Sequence, residues 1–84
     1  MPEISRFYGI IIKMYFLSSE HNTPHIHAIY NKSFAVIDIQ TLNVIEGNLP
    51  PRAIKLVKEW ILIHIKEINN IWITQEFKKI EPLN

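Results

Sequence analysis

The chain has 84 residues, a formal net charge of +1 with neutral histidines, and no cysteine. This length is enough for one domain and too short for two, and 48% hydrophobic with 20% charged residues is a globular composition. The near-neutral charge argues against a protein held on nucleic acid mainly by charge, and the lack of cysteine excludes disulfides, thiolate metal sites and cysteine nucleophiles.

The N-terminal part of the chain predicts an irregular lead-in followed by a strand. Pro2 and Ser5 disfavour regular structure over residues 1–8. Residues 9–16, GIIIKMYF, are rich in β-branched and aromatic side chains and are apolar on both faces, which is typical of a central strand. A polar loop follows and ends at Pro24.

The next stretch predicts an antiparallel meander. A second strand covers residues 25–30, and Asn31-Lys32 is the predicted two-residue turn because asparagine tolerates a positive φ. A third strand covers residues 33–40. Thr41-Leu42 then turns the chain into a short fourth strand over residues 43–46.

From Pro51 the hydrophobic period changes to that of a helix. The residues that recur at three- and four-residue steps are Ala53, Leu56, Val57, Trp60, Ile61, His64 and Ile68. The helix is predicted to reach about Ile68 and to break at Asn69-Asn70, since asparagine is a poor interior helix residue. Residues 71–79 are a second, shorter helix or a continuation, with Trp60 and Trp72 in the core.

The predicted fold class is therefore α+β. An antiparallel meander of three to four strands packs against one long C-terminal helix, with the second short helix giving the order ββββαα. The sheet face expected to meet the helix carries Ile26, Ala28, Ala35, Ile37 and Ile39.

The turn also predicts a register for the middle strands. If Asn31-Lys32 forms the turn, His25 lies opposite Asp38 and His27 lies opposite Val36. Side chains at such positions are about 4.5–5.5 Å apart at Cβ. His25 and His27 share one face because they are two residues apart.

Three interpretations of this histidine pair compete. In the first, His25 and His27 are the base and acid of a hydrolytic site, as in a metal-free ribonuclease, and Asp38 orients one of them. The residues that would bind phosphate or stack on a base are Arg6, Tyr8 and Tyr15.

In the second interpretation the histidines bind a divalent metal ion such as zinc, manganese or iron. The candidate ligands are His21, His25, His27 and His64, with help from Asp38. In the third, the histidines are structural or belong to a recognition surface. His64 lies on the apolar stripe of the helix, so a core histidine bonded to a backbone carbonyl is the alternative to a role in the site.

Localisation and assembly are predicted from what the chain lacks. The N-terminus MPEISRFYG is not a signal peptide, and no window approaches the roughly 18 apolar residues that a membrane span requires. We expect a cytoplasmic protein. A chain this short buries only about 60–65% of its unfolded surface, so a partner or a homodimer would add stability.

Several motifs in order resemble the bacterial domain of unknown function 4160 family over nearly the whole chain. They are MPEISRFYGIIIKMYF, HNTPHIHAIY, AVIDIQTLNVIEGNLPPRAIKLVKEW and KKIEPL. The family motif H-x-P-P-H-F-H falls on residues 21–27, where Thr23 replaces the first proline and Ile26 the phenylalanine. The family usually has a glycine in the turn after the aspartate strand, and here residues 40–43 read QTLN.

The resemblance implies a small bacterial protein encoded beside a second small domain. Such pairs look like type II toxin–antitoxin modules, and this chain would be the toxin-like member, with a small antitoxin-like protein as its partner. Two classes of function follow as expectations: a toxin-like ribonuclease acting on RNA, or a non-enzymatic interaction module, with or without metal, that pairs with its neighbour.

Overall fold

The computed structural model describes residues 3–14 and 23–83, which form five antiparallel strands and one long C-terminal helix. The elements are β1 (Glu3–Phe7), β2 (Ile10–Lys13), β3 (His25–Tyr30), β4 (Ser33–Asp38), β5 (Val44–Gly47) and α1 (Pro51–Thr74). The strands lie side by side in chain order. The predicted α+β class is confirmed, with one strand more than expected.

The additional strand is β1, so the irregular lead-in predicted for residues 1–8 is wrong over its described part. The register with β2 shifts between Glu3, which faces Lys13, and Ser5, which faces Ile12. Because of this irregularity, the consecutive residues Ile4 and Ser5 are both buried. The alternation by which a strand is recognised in a sequence is therefore broken at this point.

The registers of β2, β3 and β4 agree with the predicted meander. Tyr30 pairs with Ser33 around a turn in which Asn31 has a φ of 55°, and His25 pairs with Asp38. The five residues predicted to face the helix are all buried in the single core cluster, together with Trp60 and Trp72 from α1. Both tryptophans are thus core residues, as predicted.

The helix departs from the prediction in two places. It is interrupted at His64, whose φ of −111° and ψ of 21° are not helical, and it continues through Asn69-Asn70, where a break was predicted. Burial of Ile68 and Ile71 on either side of the asparagines holds the second half of the helix against the core.

Of the two alternatives predicted for residues 71–79, the continuation is found over residues 71–74, and no separate second helix forms. The helix ends at Thr74 because Gln75 adopts a left-handed conformation with a φ of 59°. The Gln75 N–H donates to the Ile71 carbonyl oxygen at 2.8 Å, which closes the last turn. Residues 76–83, the described part of the chain beyond this cap, are not helical.

The segment after the helix covers the free edge of β1. The Ile80 N–H donates to the Ile4 carbonyl oxygen at 2.7 Å, and the Trp60 indole N–H donates to the Glu81 carbonyl oxygen at 2.9 Å. Lys79 also approaches Glu3 at 3.6 Å. This segment therefore joins the edge of the sheet to the centre of the helix. In the described part of the chain, no helix is long and apolar enough to span a bilayer.

Two glycines with positive φ give a matched pair of predictions. A Cβ atom on Gly47 (φ 76°) would overlap the carbonyl oxygen of Phe34, whereas one on Gly9 (φ 79°) would lie 3.3 Å from a ring carbon of Tyr30. We expect Gly9→Ala to destabilise the fold by about 1–2 kcal/mol, mainly through left-handed strain, because a small movement of the Tyr30 side chain relieves the contact with its ring. Gly47→Ala should cost about 2–5 kcal/mol, because displacement of a β4 carbonyl is added to that strain. Urea unfolding measures both, and equal losses would contradict this account.

Candidate functional site

The outer face of the sheet, which we define as the face turned away from the core cluster, carries His27, and His25 lies at the end of β3 beside it, where its ring also reaches Trp72 of α1. A row of paired residues crosses four strands there: Lys13 on β2, His27 on β3, Val36 on β4 and Glu46 on β5. Neighbouring members of such a row are about 5 Å apart. A cavity of about 310 Å³ opens beside the row and is lined by Thr23, His25, His27, Val36, Ile45 and Glu46.

The imidazole of His25 is held on three sides. Its Nδ1 lies 2.7 Å from the Thr23 carbonyl oxygen, and because a carbonyl only accepts, Nδ1 carries the proton in this bond. The ring centroid lies 5.4 Å from that of His27 and 5.1 Å from that of Trp72, the latter in edge contact. In the neutral tautomer Nε2 is therefore the basic nitrogen of His25.

The surroundings of the His27 imidazole favour its neutral form. Partial burial lowers the pKa of His27 below its ordinary value of 6.5, and a positive charge on His25 lowers it further, while the carboxylate of Glu46 acts in the opposite direction. Desolvation disfavours the charged imidazolium. Near neutral pH, His27 is therefore a proton acceptor.

The lowered pKa of His27 predicts a pH dependence of stability. The contribution of His27 to the free energy of unfolding is complete above pH 6.5, where its ring is neutral in both the folded and the unfolded chain. As the pH falls from there through the lower folded pKa, the unfolded chain binds a proton more readily, and stability is lost. Urea midpoints measured between pH 8 and pH 5 should fall less for His27→Asn than for the wild type. Parallel curves for the two proteins would refute the assignment.

Asp38 lies opposite His25 as predicted, and its carboxylate closes the turn between β4 and β5. Its Oδ1 accepts the backbone N–H groups of Gln40 at 2.7 Å and of Thr41 at 3.0 Å. The nitrogen Nδ1 of His25 is oriented by the Thr23 carbonyl. The local role of Asp38 is thus that of an Asx-type turn residue next to the histidine site.

Glu46 is the site residue that sequence reasoning missed. It faces Val36 because the register of β4 and β5 shifts between Val36 and Ile37, leaving Ile45 as the extra residue on β5. The extra residue puts Glu46 into the row of His27 and leaves the Ile45 side chain 53% exposed beside the cavity. A bulge of this kind leaves no distinct signal in a four-residue strand.

The three predicted substrate-binding residues are not gathered at this cavity. Arg6 forms a two-pronged ion pair with Glu3, with Nη2 to Oε1 at 2.8 Å and Nε to Oε2 at 3.2 Å. Tyr8 lies in the turn between β1 and β2 and lines a different cavity. Tyr15 lies outside the described residues.

The predicted metal ligands are also not all brought together. The Nδ1 of His64 lies 2.9 Å from the Glu67 carboxylate, and its ring packs 5.7 Å from that of Trp60. His21 lies outside the described residues. Within residues 3–14 and 23–83, no three histidine, aspartate or glutamate side chains are grouped closely enough to hold a metal ion.

Comparison with known proteins returns one finding. A protein-family model described as "Domain of unknown function (DUF4160)" matches residues 9–73, which include the outer-face row from Lys13 to Glu46. Searches of curated proteins and of solved structures returned no match.

Proposed function

The chain belongs to the DUF4160 family of domains of unknown function, and from its histidine site we propose that it is a ribonuclease-like hydrolase. In this proposal it acts in the bacterial cytoplasm as the toxin-like member of a toxin–antitoxin pair. The observation that supports the proposal is the pair of imidazoles in one cavity, with ring centroids 5.4 Å apart. One of them, His27, has a lowered pKa suited to a base.

The proposed reaction is cleavage of a single-stranded RNA backbone. His27 removes the proton of a ribose 2′-hydroxyl, whose oxygen attacks the adjacent phosphorus. His25 in its imidazolium form gives a proton through Nε2 to the 5′-oxygen that leaves. The P–O5′ bond breaks as the P–O2′ bond forms, so the products are a 2′,3′-cyclic phosphate and a 5′-hydroxyl.

Neighbouring residues of the outer face suit such a substrate. Lys13 is the register neighbour of His27 and supplies a positive charge for a phosphate. Val36 and Ile45 line the same cavity and offer an apolar surface for a base. The carboxylate of Glu46 raises the pKa of His27 and so limits the lowering by burial.

The decisive experiment uses untagged protein and single-stranded RNA in the presence of a chelator. We expect cleavage products that carry 2′,3′-cyclic phosphate ends, and we expect growth arrest when the protein is expressed without its neighbour. Intact RNA together with normal growth would remove the proposal. Cleavage that stops when the chelator is added would instead indicate a metal-dependent reaction.

A second candidate function is a non-enzymatic interaction module that pairs with a small protein encoded nearby. The exposed apolar side chains around β5 favour it: Phe34 is 44% exposed, Val44 38% and Ile45 53%. The neighbouring protein should then co-purify with the wild type and be lost with Ile45→Asp. Retention with Ile45→Asp would argue against this surface.

A further inference from the structure

A second cavity lies at the opposite end of β3 from His25, on the helix side of the sheet. Its volume is about 510 Å³, larger than the histidine cavity. The residues that form its floor are apolar: Ile10 and Ala53 are 1% and 5% exposed. Tyr8 and Tyr30 stand beside this floor, and Arg52 from the first turn of α1 completes the lining on the helix side.

The turn that joins β1 to β2 carries Tyr8 and packs against the ring of Tyr30, the last residue of β3. Tyr8 and Gly9 both have a positive φ, of 50° and 79°. A Cβ on Gly9 would lie 3.3 Å from the Tyr30 ring, so the glycine lets the turn pack closely on that ring. The Tyr8 side chain is 59% exposed at the cavity. The cavity therefore offers aromatic surface on a tight, defined turn.

The charge of this cavity is positive. No aspartate or glutamate lines it, and the first turn of α1 contains no acidic residue. Within the described part of the chain, the guanidinium of Arg52 makes no hydrogen bond or ion pair, in contrast to Arg6, which is neutralised by Glu3. An arginine without a carboxylate partner beside an apolar floor can bind an anion in a two-pronged manner.

We propose that this cavity binds a small planar aromatic anion. The ring packs on the apolar floor between Tyr8 and Tyr30, and the carboxylate or phosphate group of the ligand pairs with Arg52. Ring packing and the ion pair are both needed, because an exposed ion pair alone contributes little. This ligand site is separate from the outer-face histidines and does not depend on the proposed hydrolase activity.

The test is a titration of the full chain with phenyl phosphate, followed by calorimetry or by NMR shifts of the tyrosine rings. We expect saturable binding of phenyl phosphate. Phenol, which lacks the anion, and inorganic phosphate, which lacks the ring, should each bind at least tenfold more weakly. Equal binding of inorganic phosphate and phenyl phosphate would overturn the aromatic part of the proposal, and no saturation by 10 mM phenyl phosphate would overturn all of it.

Charge-matched variants locate the site. Arg52→Gln should weaken phenyl phosphate binding at least tenfold, whereas Lys55→Gln, which removes the same charge beside a different cavity, should leave it unchanged. Tyr8→Ala should also weaken binding. Equal effects of Arg52→Gln and Lys55→Gln would show a general charge effect and refute the site. The two proposals have separate readouts, phenyl phosphate titration for this site and RNA cleavage for the hydrolase, so failure of one is distinguishable from failure of the other.

Discussion

The His27→Asn protein should cleave RNA about 10²–10⁴-fold more slowly than the wild type, which is the range that a positioned general base contributes. Asparagine keeps a polar side chain of similar reach and cannot accept the 2′-hydroxyl proton. His27 is half-buried on a paired strand, so the substitution should leave the fold intact. Initial rates on a defined single-stranded RNA, with circular dichroism as the check on folding, measure the effect.

The matched control is His64→Asn. It makes the same substitution at another partly buried histidine, which contacts Glu67 and Trp60 rather than the outer-face cavity. We expect near wild-type cleavage from a folded His64→Asn protein. The wild-type rate should rise with pH on an acidic limb centred below pH 6.5, because the pKa of His27 is lowered from that value and the base must be unprotonated. Undiminished cleavage by His27→Asn would exclude His27 as the base.

Trp60→Ala should destabilise the fold by about 3–5 kcal/mol, the usual loss for truncation of a buried tryptophan. Trp60 is fully buried and packs against Phe7 with ring centroids 5.7 Å apart, and its indole N–H holds Glu81. A domain of this length has a total stability of about 4–13 kcal/mol. The substitution should therefore remove a large share of it, which urea unfolding followed by circular dichroism will measure.

Two further variants separate the contributions at Trp60. Trp60→Phe removes the indole N–H and some volume, and should cost less than Trp60→Ala by about 1–3 kcal/mol. Leu62→Ala, two residues away on the same helix with a side chain that is 62% exposed, should change stability by no more than about 0.5 kcal/mol. If Leu62→Ala were as damaging as Trp60→Ala, the burial of Trp60 in the core could not explain its loss, because Leu62 is largely exposed and alanine is the better helix former.

The middle of the sheet was predictable because one local feature determines a long-range geometry. An asparagine that tolerates a positive φ favours a two-residue turn at Asn31-Lys32. The position of this turn determines that His25 pairs with Asp38. Alternation of apolar residues along β3 and β4 assigned the core face correctly. Local chemistry and hydrophobic period agree in this region, so the register is well determined.

The remaining errors arise where tertiary contacts override local preference. The irregular pairing at Glu3 and Ser5 conceals β1, and core packing carries the helix through Asn69-Asn70. No proline or glycine lies next to the interruption at His64, so the sequence gives no signal for it. The contacts that orient His25, from the Thr23 carbonyl and Trp72, come from a backbone atom and from a distant helix. Such contacts cannot be predicted from the residue types along the sequence.

The two borders of the sheet differ in what protects them from adding strands of other molecules. At β5 the strand is four residues long, bulged at Ile45 and ended by Gly47, and so is a poor template for intermolecular pairing. At β1 the protection is the hydrogen bond from Ile80, and a protease cut after Thr74 would leave the segment that carries Ile80 held by non-covalent contacts alone. The extended segment after α1 therefore protects the protein from aggregation at high concentration. Protein cleaved after Thr74 should aggregate more readily through the exposed edge of β1.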